Sequence, residues 1–292
     1  MNVSGRFLRD RANLAALAVI SGIALLALLA PFVSPVDPNQ QVDVLANRFL
    51  PPLSTGADGI MHWLGTDRFG RDLLARMLYG ARISLTVGIL SMAVSIVIGY
   101  SIGAAAGAGG PAMERVLMAF TDAALAMPRL VWLLALVALW EPSMILVILV
   151  LGLTGWMGIA RLTRAEVKAI VQLPFMEATE GAGLSRSRIL FRHIIPNTVT
   201  PVLIAGALGV GHTITLESGL AFLGVGVPPP APSWGSLIAG GRDALVHAPW
   251  VATFPGLAIV LTVVAFNLLA DGVRDALDPK ADSTDTRDLS GG

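Results

Sequence analysis

Two stretches of this chain, residues 12–32 and 83–108, contain no charged side chain at all. An apolar run of about 20 residues is long enough, as a helix, to cross a hydrocarbon layer ~30 Å thick. A chain built from such runs satisfies its backbone polar groups inside helices when it sits in lipid. Four further runs fit the same description less cleanly: 114–140, 143–160, 199–226 and 250–272. The third span is interrupted by Asp122, Pro128 and Arg129, and the fifth carries His212 and Glu217. The expected fold is therefore an all-α membrane protein with six transmembrane helices. Composition agrees: the chain is 54% hydrophobic and 14% charged, against about 25% charge in soluble domains.

Charge placement orients the spans. Arg6, Arg9 and Arg11 precede the first one, which puts the N-terminus in the cytoplasm. Six crossings return the C-terminus to the same side. Thirteen basic residues then fall on the cytoplasmic side and six on the outer side, with Arg129 inside a span. The first outer segment is more basic than the rule favours. The first apolar run is long for a signal peptide and is followed by Pro31, so it reads as an uncleaved anchor. The domain reading is a cytoplasmic N-terminus and anchor (1–33), an outer segment (34–82), a five-helix core (83–272) with a cytoplasmic loop at 161–198, and a cytoplasmic tail (273–292). Residues 281–292 are polar and read as disordered.

The loop between the fourth and fifth spans, EATEGAGLSRSRILFRHIIPN at 177–197, is more structured than a connecting loop needs to be. Pro174 suits the first turn of a short helix. Glu177 and Glu180 then lie near its positive end. Gly183 suits a left-handed C-cap, and Ser185 can cap a second, basic turn carrying Arg186, Arg188 and Arg192. Pro196 is expected to end that turn. The outcome is a compact element suited to docking a partner outside the membrane.

These residues resemble the signature of inner-membrane permeases of binding-protein-dependent ABC importers: Glu177-Ala178-Thr179, then Gly183, then Pro196. Thr179 stands where an alanine is usual, and Gly181 inside the short helix costs about 1 kcal/mol of helix stability. Four further segments narrow the resemblance to the peptide/nickel subfamily, and within it to the dipeptide/oligopeptide permease C type. They are Gly65-Thr66-Asp67 with Gly70-Arg71-Asp72, Arg76, Gly80 and Arg82; Arg192 to Asn197; Phe222 to Gly226 with Pro229 and Pro232 to Gly235; and Asn267, Asp271-Gly272 and Arg274 to Pro279. The resemblance implies a type I importer permease fold, an anchor helix plus a five-helix core. It implies a second homologous permease, two cytoplasmic ATPases holding ATP and Mg, and an external solute-binding protein. It places 174–192 as the coupling helix, with Glu177, Ala178, Thr179, Gly183, Arg186 and Pro196 as coupling residues. The setting it implies is a bacterial or archaeal cytoplasmic membrane, with lipid around the spans.

The chain itself carries no G-x-x-x-x-G-K-[ST] sequence for ATP, no H-E-x-x-H and no G-x-S-x-G. It has no cysteine, hence no thiolate metal site or thiol nucleophile, and no basic tract for nucleic acid. A non-catalytic permease subunit without a cofactor or metal of its own is expected. Intramembrane ionisable groups usually face a cavity or a partner, so Glu217, Asp122, Arg129 and His212 are candidate path residues. Each has a plainer reading. Glu217 can be a buried acid that holds packing. Asp122 and Arg129, seven residues apart, can pair on one helical face. His212 lies about 140° around the helix from Glu217, too far for a shared metal. A proton-coupled secondary carrier using Glu217 or Asp122 is the alternative. The stretch 67–82 reads as amphipathic and interfacial, and Pro228 to Trp234 as a stiff outer turn.

Overall fold

A computed structural model describes residues 7, 10–57, 59–181 and 184–277. The tail from Asp278 onward and Gly183 lie outside the described residues. Apart from a two-stranded hairpin (Ser54–Thr55 with Met61–His62) and short turns, the described chain is helical. Its main helices are α1 (Arg11–Leu28), α2 (Leu73–Ala108), α3 (Pro111–Ala126), α4 (Arg129–Val137), α5 (Met144–Leu153) and α6 (Trp156–Val171). They continue with α7 (Pro174–Gly181), α8 (Ile195–Phe222), α9 (Trp234–Gly241) and α10 (Trp250–Leu277). α1, α2, α8 with its preceding turn, and α10 are each long and apolar enough to cross a membrane. The α3–α4 and α5–α6 pairs are bent by 82° and 40°; counted as one crossing each, they bring the total to six.

The core is built around α2, which packs along α6, α8 and α5. Gly99, Gly103 and Gly107 recur every four residues on the α6 side of α2. A Cβ at Gly103 would come within 2.6 Å of Thr163 Cβ, and one at Gly107 or Gly99 within 2.7 Å of Val167 or Ile159 Cβ. Bare glycine lets two membrane helices approach backbone to backbone, where dispersion has no help from the hydrophobic effect.

The anchor is fixed at both ends. α1 lies on α10 and α2. Buried Asn13 sits directly against Gly272, where no Cβ could fit. At the other end Arg82 of α2 donates to the carbonyls of Ala27 and Leu28 (2.9 Å to the latter). Those carbonyls are the unsatisfied acceptors at the C-terminus of α1.

Several boundaries differ from the sequence reading. The second span begins ten residues earlier than expected, at Leu73, because Asp72 caps α2 by accepting from Ala75 N (2.7 Å). From Leu73 onward the stretch 67–82 belongs to α2. Asp67, Asp72 and Arg76 are buried. Asp67 accepts from Phe69 N (2.8 Å) and Arg71 N (3.1 Å) and pairs with the Arg71 guanidinium (2.6 Å). Arg76 donates to Pro38 O (3.0 Å) and Asn39 Oδ1 (3.2 Å). Gly65 and Gly70 have φ of 79° and 70°, values that glycine adopts freely. These internal partners hold Arg71 and Arg76 of this segment within the protein. Pro196 also behaves differently. Leu190–Ile194 forms a π turn, with Ile195 N donating to Leu190 O, that runs straight into α8. Pro196 sits in the first α-helical turn of α8, directly after the π turn, and does not interrupt the helical run.

Candidate coupling and translocation sites

α7 is the short helix expected at 174–181, and Glu177, Ala178 and Thr179 lie on it. Thr179 Oγ1 donates back to Met176 O (2.7 Å). Met176 is the anchor: it is buried with Ala104 of α2, Val167 of α6, Ile189 and Ile194. The seat is therefore made of the ends of three spans. Arg186 begins the next helical turn, Arg186–Ile189. Around the seat, Leu173, Phe175 and Phe191 stay exposed, the last at 70%. Arg188 and Arg192 line a shallow depression beside Phe191. A rim of exposed apolar and cationic side chains on a helix held rigidly to the bundle is the form of a docking surface.

Asp122, Arg129 and Glu217 are not brought together, whereas Arg129 lies within electrostatic reach of His212. Asp122 and Arg129 do not pair. Pro128 turns α4 through 82° from α3, so the shared face of a straight helix is lost. Asp122 instead meets Arg161 of α6 at 2.6 Å, both side chains 55% exposed. Arg129 reaches across to the C-terminal end of α5, donating to Leu151 O (3.1 Å) and Thr154 Oγ1 (3.4 Å). A cation there suits the negative end of a helix. His212 is exposed on α8. Glu217 is fully buried and accepts from Ser233 Oγ (2.8 Å). No group of three or more His, Asp or Glu side chains placed to hold a metal occurs among the described residues.

Residues 95–283 match the family of binding-protein-dependent transport system inner membrane components. Residues 3–52 match the N-terminal transmembrane domain of oligopeptide transport permease C. The chain belongs to this family of ABC importer permeases. Among curated relatives, the permease is 36% identical to a putative peptide permease of Brucella suis over 96% of this chain and 90% of that one. It is 37% identical to a di/tripeptide transport system permease of Pseudomonas aeruginosa, over 94% and 90%. It is also 37% identical to a glutathione transport system permease of Pectobacterium atrosepticum, over 95% and 90%. Two crystal structures of the MetNI methionine ABC transporter in inward-facing conformations share the fold. Their TM-scores are 0.53 and 0.55 at 17% and 18% identity, covering 69% and 70% of this chain and 96% and 97% of theirs.

The permease keeps several functional-looking groups that sequence reasoning passed over. Glu114, in the first turn of α3, accepts from Arg164 Nε (2.7 Å) and Lys168 Nζ (2.8 Å) of α6. Two residues counted only as cytoplasmic charge thus tie α3 to the helix that leads into α7. The Gly99–Gly103–Gly107 spacing was visible as a small-residue repeat. α9 was missed outright. Its signal was Ser233 three residues before Ser236, a reciprocal cap. The carrier alternative finds no support: Glu217 is sealed from solvent and Asp122 is occupied by Arg161.

Proposed function

We propose that this permease carries a peptide-like solute inward, delivered by an external binding protein and driven by two cytoplasmic ATPases that bind ATP and Mg on this chain's behalf. The relatives' peptide and glutathione assignments support the solute class. α7 is the coupling helix. The observation that carries this reading is the seating of Met176 among Ala104, Val167, Ile189 and Ile194, because a displacement of α7 is then felt at once by α2, α6 and α8. Glu177, Ala178, Thr179, Gly183 and Arg186 contribute to the ATPase contact, and Pro196 starts the span that receives the movement. A second homologous permease completes the path. The N- and C-termini lie in the cytoplasm. That orientation is supported by the N-terminal arginines and by the contact of Asn13 with Gly272, which puts the start of α1 beside the end of α10.

The test is purification of the tagged permease from its native membrane, with and without Phe175→Glu. Phe175 is 43% exposed, so a charge there disturbs docking more than folding. Recovery of a second permease and ATPases with the native chain, and selective loss of the ATPases from the variant, is expected. Absence of any ATPase from the cross-linked native complex would overturn the coupling assignment.

A further inference from the structure

Four side chains from three helical elements meet out of reach of solvent beneath the outer loop. Glu217 of α8, Ser84 of α2 and Ser233 at the start of α9 are each 0% exposed, and Trp234 is 2%. Ser233 Oγ donates to Glu217 Oε1 (2.8 Å) and accepts from Ser236 N (3.1 Å), while Ser233 N donates to Ser236 Oγ (2.9 Å). Trp234 N donates to Ser84 Oγ (3.0 Å), and its indole Nε1 to Met77 O (3.1 Å). The N-terminal amides of α9 are thus held by its own cap and by α2. The cap is held in turn by the carboxyl group of Glu217.

The second oxygen of Glu217 has no hydrogen-bond partner among the described residues. It lies beside the first turn of α9, where a Cβ on Gly235 would sit 3.1 Å from it. The positive end of a helix favours an acidic group at that place. A buried carboxyl in a membrane span is costly unless it is bound, and here what it binds is the cap of a neighbouring helix. α9 in turn supplies Leu237, Ala239 and Gly240 to the wall of a cavity of about 650 Å³, whose other sides come from Arg71, Arg76 and the proline-rich turn at 228–230. Glu217 does not line that cavity.

We propose that Glu217 is a positioning residue for transport: through Ser233 it fastens α9 to α8, and with the Trp234–Ser84 bond it makes α9 move with α2 and α8 as one body, keeping the wall of the outer cavity rigid. This rests on the importer reading, in which that cavity faces the outer medium. It assigns Glu217 no contact with solute.

The chain has no cysteine, and a Cβ at Gly240 would meet nothing within 4 Å. Gly240→Cys therefore gives a single reporter in the cavity wall. Its labelling by a membrane-impermeant maleimide would be followed in the intact complex, beside solute uptake. Glu217→Gln keeps an acceptor oxygen for Ser233, so labelling and uptake within about twofold of the Gly240→Cys parent are expected. Glu217→Ala removes the buried bond, and labelling about tenfold faster with uptake about tenfold lower is expected, at unchanged recovery of ATPases. Adding Ser233→Ala to Glu217→Ala should cost little more. Native labelling and uptake in Glu217→Ala would overturn the proposal. So would loss of uptake in Glu217→Gln with native labelling, because the charge would then be acting in the path. If Glu217→Ala does not accumulate, Ser84→Ala loosens the same junction from α2, and native labelling there refutes it equally. Should the introduced thiol react only in permeabilised vesicles, the outward-facing assignment has failed; labelling in those vesicles still reads the junction.

Discussion

Gly103→Ala adds one methyl group at a close approach of α2 to α6. The new Cβ would lie 2.6 Å from Thr163 Cβ and inside the contact distance of the Ala160 carbonyl. Neither neighbour is the free end of a flexible side chain: one is backbone and the other is a β-branched Cβ fixed at 0% exposure. Relief therefore requires α2 and α6 to separate. Overpacking of this kind costs about 1–3 kcal/mol. The gain in helix propensity from glycine to alanine, at most ~1 kcal/mol, does not offset it. Gly158→Ala is the control. It lies on α6 itself, is exposed, and has nothing within 4 Å of its Cβ. It keeps the propensity gain without the clash.

The assay is thermal unfolding of the detergent-solubilised complex followed by size-exclusion recovery. For a protein of this size 1 kcal/mol corresponds to roughly 2–4 °C. Gly103→Ala should then lower the midpoint by about 2–12 °C, and Gly158→Ala should leave it unchanged or raised. Gly99→Ala should behave as Gly103→Ala does, and the pair should fall short of additive, since the first substitution already opens the seam for the second. Uptake should fall with the midpoint, because α6 leads into α7, the proposed coupling helix. A Gly103→Ala midpoint equal to that of Gly158→Ala would refute the close-approach argument.

Two other perturbations separate structural charges from incidental ones. Arg82→Ala leaves the last carbonyls of α1 without donors, and hydrogen bonds to a charged group are worth about 1.5–3 kcal/mol each when buried. With Arg82 only part-buried, a midpoint loss of a few degrees is expected, together with faster proteolysis between α1 and the hairpin; unchanged proteolysis would argue against the clamp. Asp122→Asn removes an ion pair that is more than half exposed on both sides, and such pairs contribute little. Uptake within about twofold of native and a midpoint within about 1 °C are expected, and a large loss of uptake would restore Asp122 as a path residue.

How far the sequence carried the reading depended on whether a signal was local. The apolar runs at 12–32 and 83–108 and the helix from Pro174 to Gly181 depend on neighbours a few residues away, and they were legible. So was the family frame, because motif residues need no three-dimensional context to be compared. What the sequence hid was partnership across distance. Asp122 and Arg129 could pair by helical spacing, with Pro128 breaking the ladder between them, but their actual partners, Arg161 and the Leu151 carbonyl, lie on other helices. Ion pairing within 67–82 was expected, and Asp67 supplies it to Arg71, but the carbonyl of Pro38 that holds Arg76 was not visible.

Glu217 shows the limit most clearly. From sequence, an acid in a span is a candidate for binding solute or protons, since those are the usual reasons to tolerate its cost. The structure gives content to the plainer reading of a buried acid that holds packing: the N-terminus of α9, sixteen residues on, needs an acceptor for the hydroxyl that caps it. A short helix inside a loop has few residues with which to satisfy its own first turn. Borrowing a carboxyl group from the adjacent span fixes both its cap and its position. By the same logic Arg82 of α2 serves the C-terminus of α1, and Arg129 of α4 serves that of α5. In this bundle the charged groups at membrane depth are used chiefly to close the ends of helices.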